Sequence, residues 1–209
     1  MVLLRHPDSR HVVARALRDE SIRIYLESLK NHHLETYRHS VRVGLISTDI
    51  GLGINLSVDE LRILCSAALL HDIGKLRVSG EILSKPSALD DREREAINRH
   101  PRLGFLELDR PGFDITRSVV VCHHEYKMDP YPRKTKDRRL GERGSVDRRR
   151  VVARIQLFGQ IVAAADIYDA LANRRSYKPP LSLDQITQTM NDLYIGAPVW
   201  MEEILARHI

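Results

Sequence analysis

The sequence predicts an all-α fold in a single domain, and three observations carry that expectation. Apolar residues recur at helical spacing through most of the chain. No stretch alternates apolar and polar residues as a hairpin would, and there is no internal repeat and no Gly-rich phosphate loop. Hydrophobic residues make up 43% of the 209 residues but aromatics only 5%, so the core must be mostly aliphatic, and the length suffices for one substantial buried core.

The elements follow in order. SRHVVARALRDESIRIYLESLK (9–30) predicts one helix, with Val12, Val13, Ala16, Leu17, Ile24 and Leu29 at apolar spacing and Ser9 as its cap. HLETYRHSVRVGLISTDIGLGI (33–54) predicts a second helix that stops near Gly51 and Gly53. SVDELRILCSAALLHD (57–72) is a third, opened by a capping box of Ser57 and Glu60. SALDDREREAINRHPRLGFLEL (87–108) reads as a fourth, broken near Pro101, and ITRSVVVCHHE (115–125) as a short fifth whose Val run would also suit a strand. VVARIQLFGQIVAAADIYDALAN (151–173) is the longest and most apolar segment, hence central, and SLDQITQTMNDL and PVWMEEILARHI close the chain. Residues 1–30 are expected to form an N-terminal helical extension packed on a domain of residues 31–209.

Charge and cysteine usage narrow the function classes. The formal charge of +5 is local, because residues 133–150 are dominated by Lys and Arg with only three acids among them. Such a run is expected to be a solvated loop inserted before the central helix, or a region that attracts a phosphate-bearing ligand. It holds no aromatic on which bases could stack, so nucleic acid is disfavoured as a partner. If it recruits ligand, neutralising its arginines should raise KM and flatten the salt dependence. Cys65 and Cys122 form no CxxC pair, and no apolar stretch of about 18 to 20 residues or signal-peptide core is seen, so a reduced, cytoplasmic protein is expected.

The chemistry sits in residues near helix ends or on apolar faces: Glu35, His39, His71, Asp72, His100, His123, His124 and Asp166. Glu35 and His39 are four apart and share a helix face. His71–Asp72 and His123–His124 are adjacent pairs, which can converge on one site at a helix terminus, and Gly74 places such a terminus directly after Asp72. Each has a plainer alternative. His100 could be a hydrogen-bonded core residue, the His123–His124 pair could open a polar loop, and Asp166 could be a cap or ion-paired acid. Yet Asp166 lies in VAAADIYDAL, where an unpaired buried carboxylate is costly and a cation would satisfy it. Imidazoles and carboxylates without thiolate suit iron, manganese or a similar divalent ion better than structural zinc.

In order and with their neighbours, these residues resemble the HD superfamily of metal-dependent phosphohydrolases, and within it the HD-GYP family. HDIGK (71–75) matches the namesake motif. GEILSKPSALDDREREAINRHPRLG (80–104) is similar to the segment supplying a third histidine, HHEYKMDPYP (123–132) to the HHE…DGxGYP signature, and AADIYDAL (164–171) to the helix whose aspartate closes the site. The resemblance runs from about Glu35 to Tyr177. It departs in two places: MDPYP keeps Tyr131 and Pro132 but loses both glycines, so that loop is expected to take a different shape, and the segment between Pro132 and Asp166 is longer than the family's, the surplus being the basic run.

The resemblance implies a helical bundle with a metal site at its centre and a phosphodiesterase of cyclic di-GMP, acting through a hydroxide that bridges two ions, iron or manganese by preference. In general, two ions about 3.5 to 4 Å apart clamp a phosphate and activate a water. It implies Asp72 as the bridging ligand, with His39, His71 and Asp166 around one ion and His100, His123 and His124 around the other. Glu35 resembles the extra carboxylate of members with three ions, which allows for a third. Lys75 is expected to meet the phosphate as charge stabiliser or proton donor, or else to be an ion-paired surface lysine. Arg174, Arg175 and Tyr177 are expected to contact substrate, and Asp169 to orient a ligand histidine. As partners, the resemblance points to a cyclic dinucleotide or other phosphoester and leaves room for a homodimer or a sensory domain. Two alternatives stand beside the cyclic di-GMP reading: an HD phosphohydrolase of another nucleotide, and an inactive module that binds nucleotide or protein.

Overall fold

The computed structural model describes residues 7–131, 146–173 and 181–208. These form helices α1 (Pro7–Ala16), α2 (Glu20–His32), α3 (Leu34–Gly53), α4 (Val58–Leu70), a 3-10 turn (Ile73–Arg77), α5 (Gly80–Leu83), α6 (Asp91–Asn98), α7 (His100–Glu107), α8 (Asp114–Cys122), α9 (Val146–Ala172), α10 (Leu183–Leu193) and α11 (Pro198–His208). The fold is all-α, and the only β-type pairing among the described residues is an isolated bridge between Lys127 and Tyr194. Arg174, Arg175 and Tyr177, and most of the basic stretch 133–150, lie outside the described residues.

Local chemistry explains most helix boundaries, including those that depart from expectation. The first helix is two: Asp19 accepts from the Ser21 backbone N–H and starts α2 anew, and Ser9 lies inside α1 rather than capping it. α3 stops at Gly53, as expected, with Ile54 as its C-cap; Asn55 follows in the left-handed conformation at φ 58°, which Asn tolerates, and its N–H bonds Leu52 O. The Ser57–Glu60 capping box opens α4. A second box, Asp90 with Glu93, opens α6, and the following break falls at Arg99, so that Pro101 occupies the first turn of α7 where its missing N–H costs nothing.

Helix α9 is the spine. Ile161, Val162, Ala163, Ala164 and Ala165 are all fully buried, so over this stretch the helix is apolar around its circumference and enclosed on every side. By length and composition Arg149–Ala172 would pass for a membrane span, a stretch the sequence reading did not expect; 56% of the window is buried in the protein, the position of a core helix. One apolar cluster joins α9 to α3, α4, α10 and α11 through Val43, Ile46, Leu64, Phe158, Met190 and Ile204. A second joins α1, α2, α4 and α8 through Val13, Leu26, Leu29, Leu70, Phe113 and Val120. Burying a side chain such as Leu64 contributes about 1.5–3 kcal/mol.

Gly74 has a different role from the one expected of it. It lies inside the 3-10 turn rather than releasing the chain from α4. A Cβ there would stand 2.0 Å from His100 O and 2.5 Å from Gly104 N, so its missing side chain lets α7 lie directly against the turn after His71–Asp72.

Candidate metal centre

Three histidines reach the centre by the same local device. His71 caps the end of α4, His100 follows α6, and His123 caps α8. In each, Nδ1 bonds the carbonyl three residues back: His71 to Ala68 O at 2.8 Å, His100 to Ile97 O at 2.7 Å, His123 to Val120 O at 2.6 Å. A carbonyl only accepts, so Nδ1 carries the proton and Nε2 presents a bare lone pair.

Those lone pairs converge on acceptors. His71 Nε2 is buried without a hydrogen-bond partner among the described residues, 3.5 Å from Asp72 Oδ2 and 4.0 Å from Asp166 Oδ1. His100 Nε2 lies 3.2 Å from Asp72 Oδ1 and 3.3 Å from His123 Nε2. His124 completes the group with Nε2 3.2 Å from His100 Nε2, while its buried Nδ1 has no partner among the described residues. Imidazole lone pairs pointed at one another and at carboxylate oxygens repel unless a cation stands between them. Among the described residues, three groups have ligand atoms within 4.8 Å of one another: His100–His123–His124, His39–His71–Asp166 and His71–Asp72–His123. The residues therefore fit divalent ions on the chemistry of their donors. Asp72 faces both sides, Oδ1 towards His100 and Oδ2 towards His71 and, at 3.8 Å, His39.

Burial and charge set the protonation states. Burial pushes the His100 imidazole down to about 3 and depresses His71, His123 and His124 as well, which keeps all four neutral and able to ligate. His39 goes the other way. Burial acts to lower it, but its Nε2 lies 3.0 Å from Asp166 Oδ1 and its Nδ1 2.7 Å from Asp169 Oδ2, and these carboxylates hold it at about 9. Asp72 and Asp166 remain well below the usual carboxylate range although burial opposes this, because Lys75 and the imidazoles surround the first, and Lys127 and His39 the second.

Seven of the eight expected ligands, all but Glu35, come together in this cluster. Glu35 stays on the exposed first turn of α3, paired with Arg38 at 2.7 Å. Asp169 lies against His39 and is itself held by Arg42, whose Nε and Nη2 donate at 2.7 and 2.9 Å, and by Asn173 at 2.9 Å. Lys75 donates to Asp72 Oδ2 at 2.6 Å. Tyr131, surviving from the expected GYP-like loop, stacks on His124 with ring centroids 4.3 Å apart. Sequence reasoning missed Arg42 and Lys127. Arg42 could have been found as the residue one turn beyond His39; Lys127, which donates to Asp166 Oδ2 at 2.8 Å, carries no spacing signal.

Comparison with known proteins gives a consistent picture. The family model described as HD domain matches residues 36–171. A cyclic di-GMP phosphodiesterase of Thermotoga maritima is 34% identical over 164 residues, covering 77% of this chain and 40% of that protein. The cyclic di-GMP phosphodiesterase response regulator RpfG of Xanthomonas campestris is 34% identical over 151 residues, 70% of this chain and 35% of its own. The 3'3'-cGAMP-specific phosphodiesterase 2 of Vibrio cholerae is 30% identical over 160 residues, 75% of this chain and 28% of its own. The chain thus spans well under half the length of each of these relatives.

Proposed function

Because this chain belongs to the HD domain family, we propose that it is a metal-dependent phosphodiesterase of a cyclic dinucleotide, cyclic di-GMP first among candidates, in a cytoplasmic setting. The observation that carries this reading is the convergence of bare Nε2 atoms from His71, His100 and His123 on the two oxygens of Asp72. His39, His71, Asp72, His100, His123, His124 and Asp166 would hold divalent ions, of which iron and manganese suit this donor set best. Bound there, the ions would polarise a phosphoryl oxygen and make a coordinated water acidic enough to attack near neutral pH.

The chain's own residues supply the rest. Lys75 Nζ, half-buried beside Asp72, is placed to give a charge-assisted hydrogen bond to a phosphate oxygen and to hand a proton to the departing oxygen. Asp169, fixed by Arg42 and Asn173, holds His39 in one ring orientation, which keeps Nε2 aimed at the Asp166 side. His71, His100 and His123 stay neutral and hold no proton on Nε2 that an arriving cation must displace, whereas His39, held at about 9 by its carboxylates, would have to give one up.

A second substrate, 3'3'-cGAMP, is favoured by the names of three of the Vibrio cholerae relatives. The deciding experiment incubates cyclic di-GMP and 3'3'-cGAMP separately with protein loaded anaerobically with Fe(II) or Mn(II), beside an Asp72→Ala control. Linear dinucleotide or mononucleotide, formed only with metal and only with Asp72 present, is the expected result. Full metal loading without turnover of either nucleotide would overturn the reading in favour of another phosphoester or a binding role.

A further inference from the structure

Lys127 follows the histidine pair by three residues, and its backbone is tied down from the far side of the chain. Met128 N donates to Leu193 O at 2.8 Å and Ile195 N to Tyr126 O at 2.9 Å, bracketing the bridge between Lys127 and Tyr194. From this mount Nζ reaches Asp166 Oδ2 at 2.8 Å, with the lysine side chain 24% exposed. The two oxygens of Asp166 are therefore divided: Oδ2 is taken by the ammonium, while Oδ1 faces His39 Nε2 at 3.0 Å and His71 Nε2 at 4.0 Å.

We propose that Lys127 is a tethered cation that confines Asp166 to coordination through one oxygen and weakens divalent-ion binding at the His39–His71–Asp166 group, so that loading there follows the ambient ion concentration. This rests on the metal-centre reading of the preceding subsection. Two effects act in the same direction. An ammonium beside Asp166 repels a dication arriving at the same carboxylate, and partial burial leaves that repulsion incompletely screened. The hydrogen bond also withholds Oδ2, so the ion gains one oxygen where a free carboxylate could give two. Lys127 is thus a positioning residue, acting through Asp166.

The test needs no substrate. Metal-depleted wild type, Lys127→Met, Lys127→Gln and Lys127→Arg are titrated with Mn(II), with free Mn(II) read by electron paramagnetic resonance. The expected result is that Met and Gln tighten the weaker class of Mn(II) sites by about tenfold or more, the scale on which partners of metal ligands commonly act. Arg, which keeps the charge and the donor, should stay near wild type. Metal-depleted Lys127→Met should also melt at lower temperature and recover with Mn(II), because its buried Asp166 has lost a partner. Should that variant fail to fold, Gln and Arg decide the question between them. Folded Met or Gln variants that bind Mn(II) no more tightly than wild type, or an Arg variant that tightens as they do, would overturn the proposal alone. A wild type that binds no divalent ion would overturn the metal centre and this proposal together.

Discussion

Replacing Gly74 with alanine would test whether the contact between the 3-10 turn and α7 sets the geometry of the centre. The added Cβ would lie 2.0 Å from His100 O, 2.5 Å from Gly104 N and 2.9 Å from His100 C. All three are backbone atoms, so no side chain can rotate away. Opening the shortest contact to the 3.0 Å that real Cβ atoms respect moves the main chain of His100 by about 1 Å. Overpacking of this kind costs about 1–3 kcal/mol, and a wall of backbone argues for the upper end. At about 2–4 °C per kcal/mol for a chain of this size, Tm should fall by about 6–12 °C. The same 1 Å is several times the tolerance of about 0.2 Å on a metal–ligand distance. His100 Nε2, now 3.2 Å from Asp72 Oδ1 and 3.3 Å from His123 Nε2, would leave that register. The assay pairs calorimetry with elemental analysis of purified protein, and Gly80→Ala is the control, its nearest neighbour lying at 3.9 Å. A Gly74→Ala protein that keeps both its Tm and its full metal content would refute this account of the close approach.

Three further outcomes are expected. Asp169→Ala removes the acceptor that orients His39 and should lower divalent-metal affinity by about 10–100-fold, seen in a Mn(II) titration; unchanged affinity would show that His39 is held otherwise. Asp19, held below its ordinary value by its bond from Ser21, stabilises α2 when ionised, so its contribution is present above pH 3.8 and fades as pH falls through the lower folded value; Asp19→Ala should cost about 1 kcal/mol at neutral pH and less in acid, measured by urea unfolding at both pH values. Cys65, buried and pushed up to about 11, should resist iodoacetamide at pH 8 until the protein is unfolded, and rapid alkylation of the native protein would contradict its burial.

Much of this architecture was legible because its signals are local. Capping boxes, apolar spacing and the adjacent pairs His71–Asp72 and His123–His124 announce themselves within a few residues. The errors arose where the deciding contact is distant or several readings compete. α3 does stop at Gly53 as expected, whereas Gly51 stays within the helix, where a Cβ would meet Leu61 and Leu64 at 2.9 Å. Asp19 splits the first helix because its side chain bonds the backbone more favourably than continued helix would. Gly74 looked like a stop signal; the atoms that require it belong to His100 and Gly104, about thirty positions away. Lys127 was invisible because a lysine on a turn has no period, and its partner lies 39 residues on.

The carbonyl bonds behind His71, His100 and His123 carry a consequence for how the protein can vary. Their acceptors are main-chain oxygens of Ala68, Ile97 and Val120, which every amino acid possesses. The tautomer and aim of three imidazoles are thus underwritten by peptide geometry at helix ends, not by neighbouring side chains that substitution could erase. Mutational scanning should find Ala68, Ile97 and Val120 permissive to other residues of similar volume as far as metal binding is concerned. Insertions or deletions of one residue just before each histidine should be lethal to the centre. The site is robust to spelling and fragile to length.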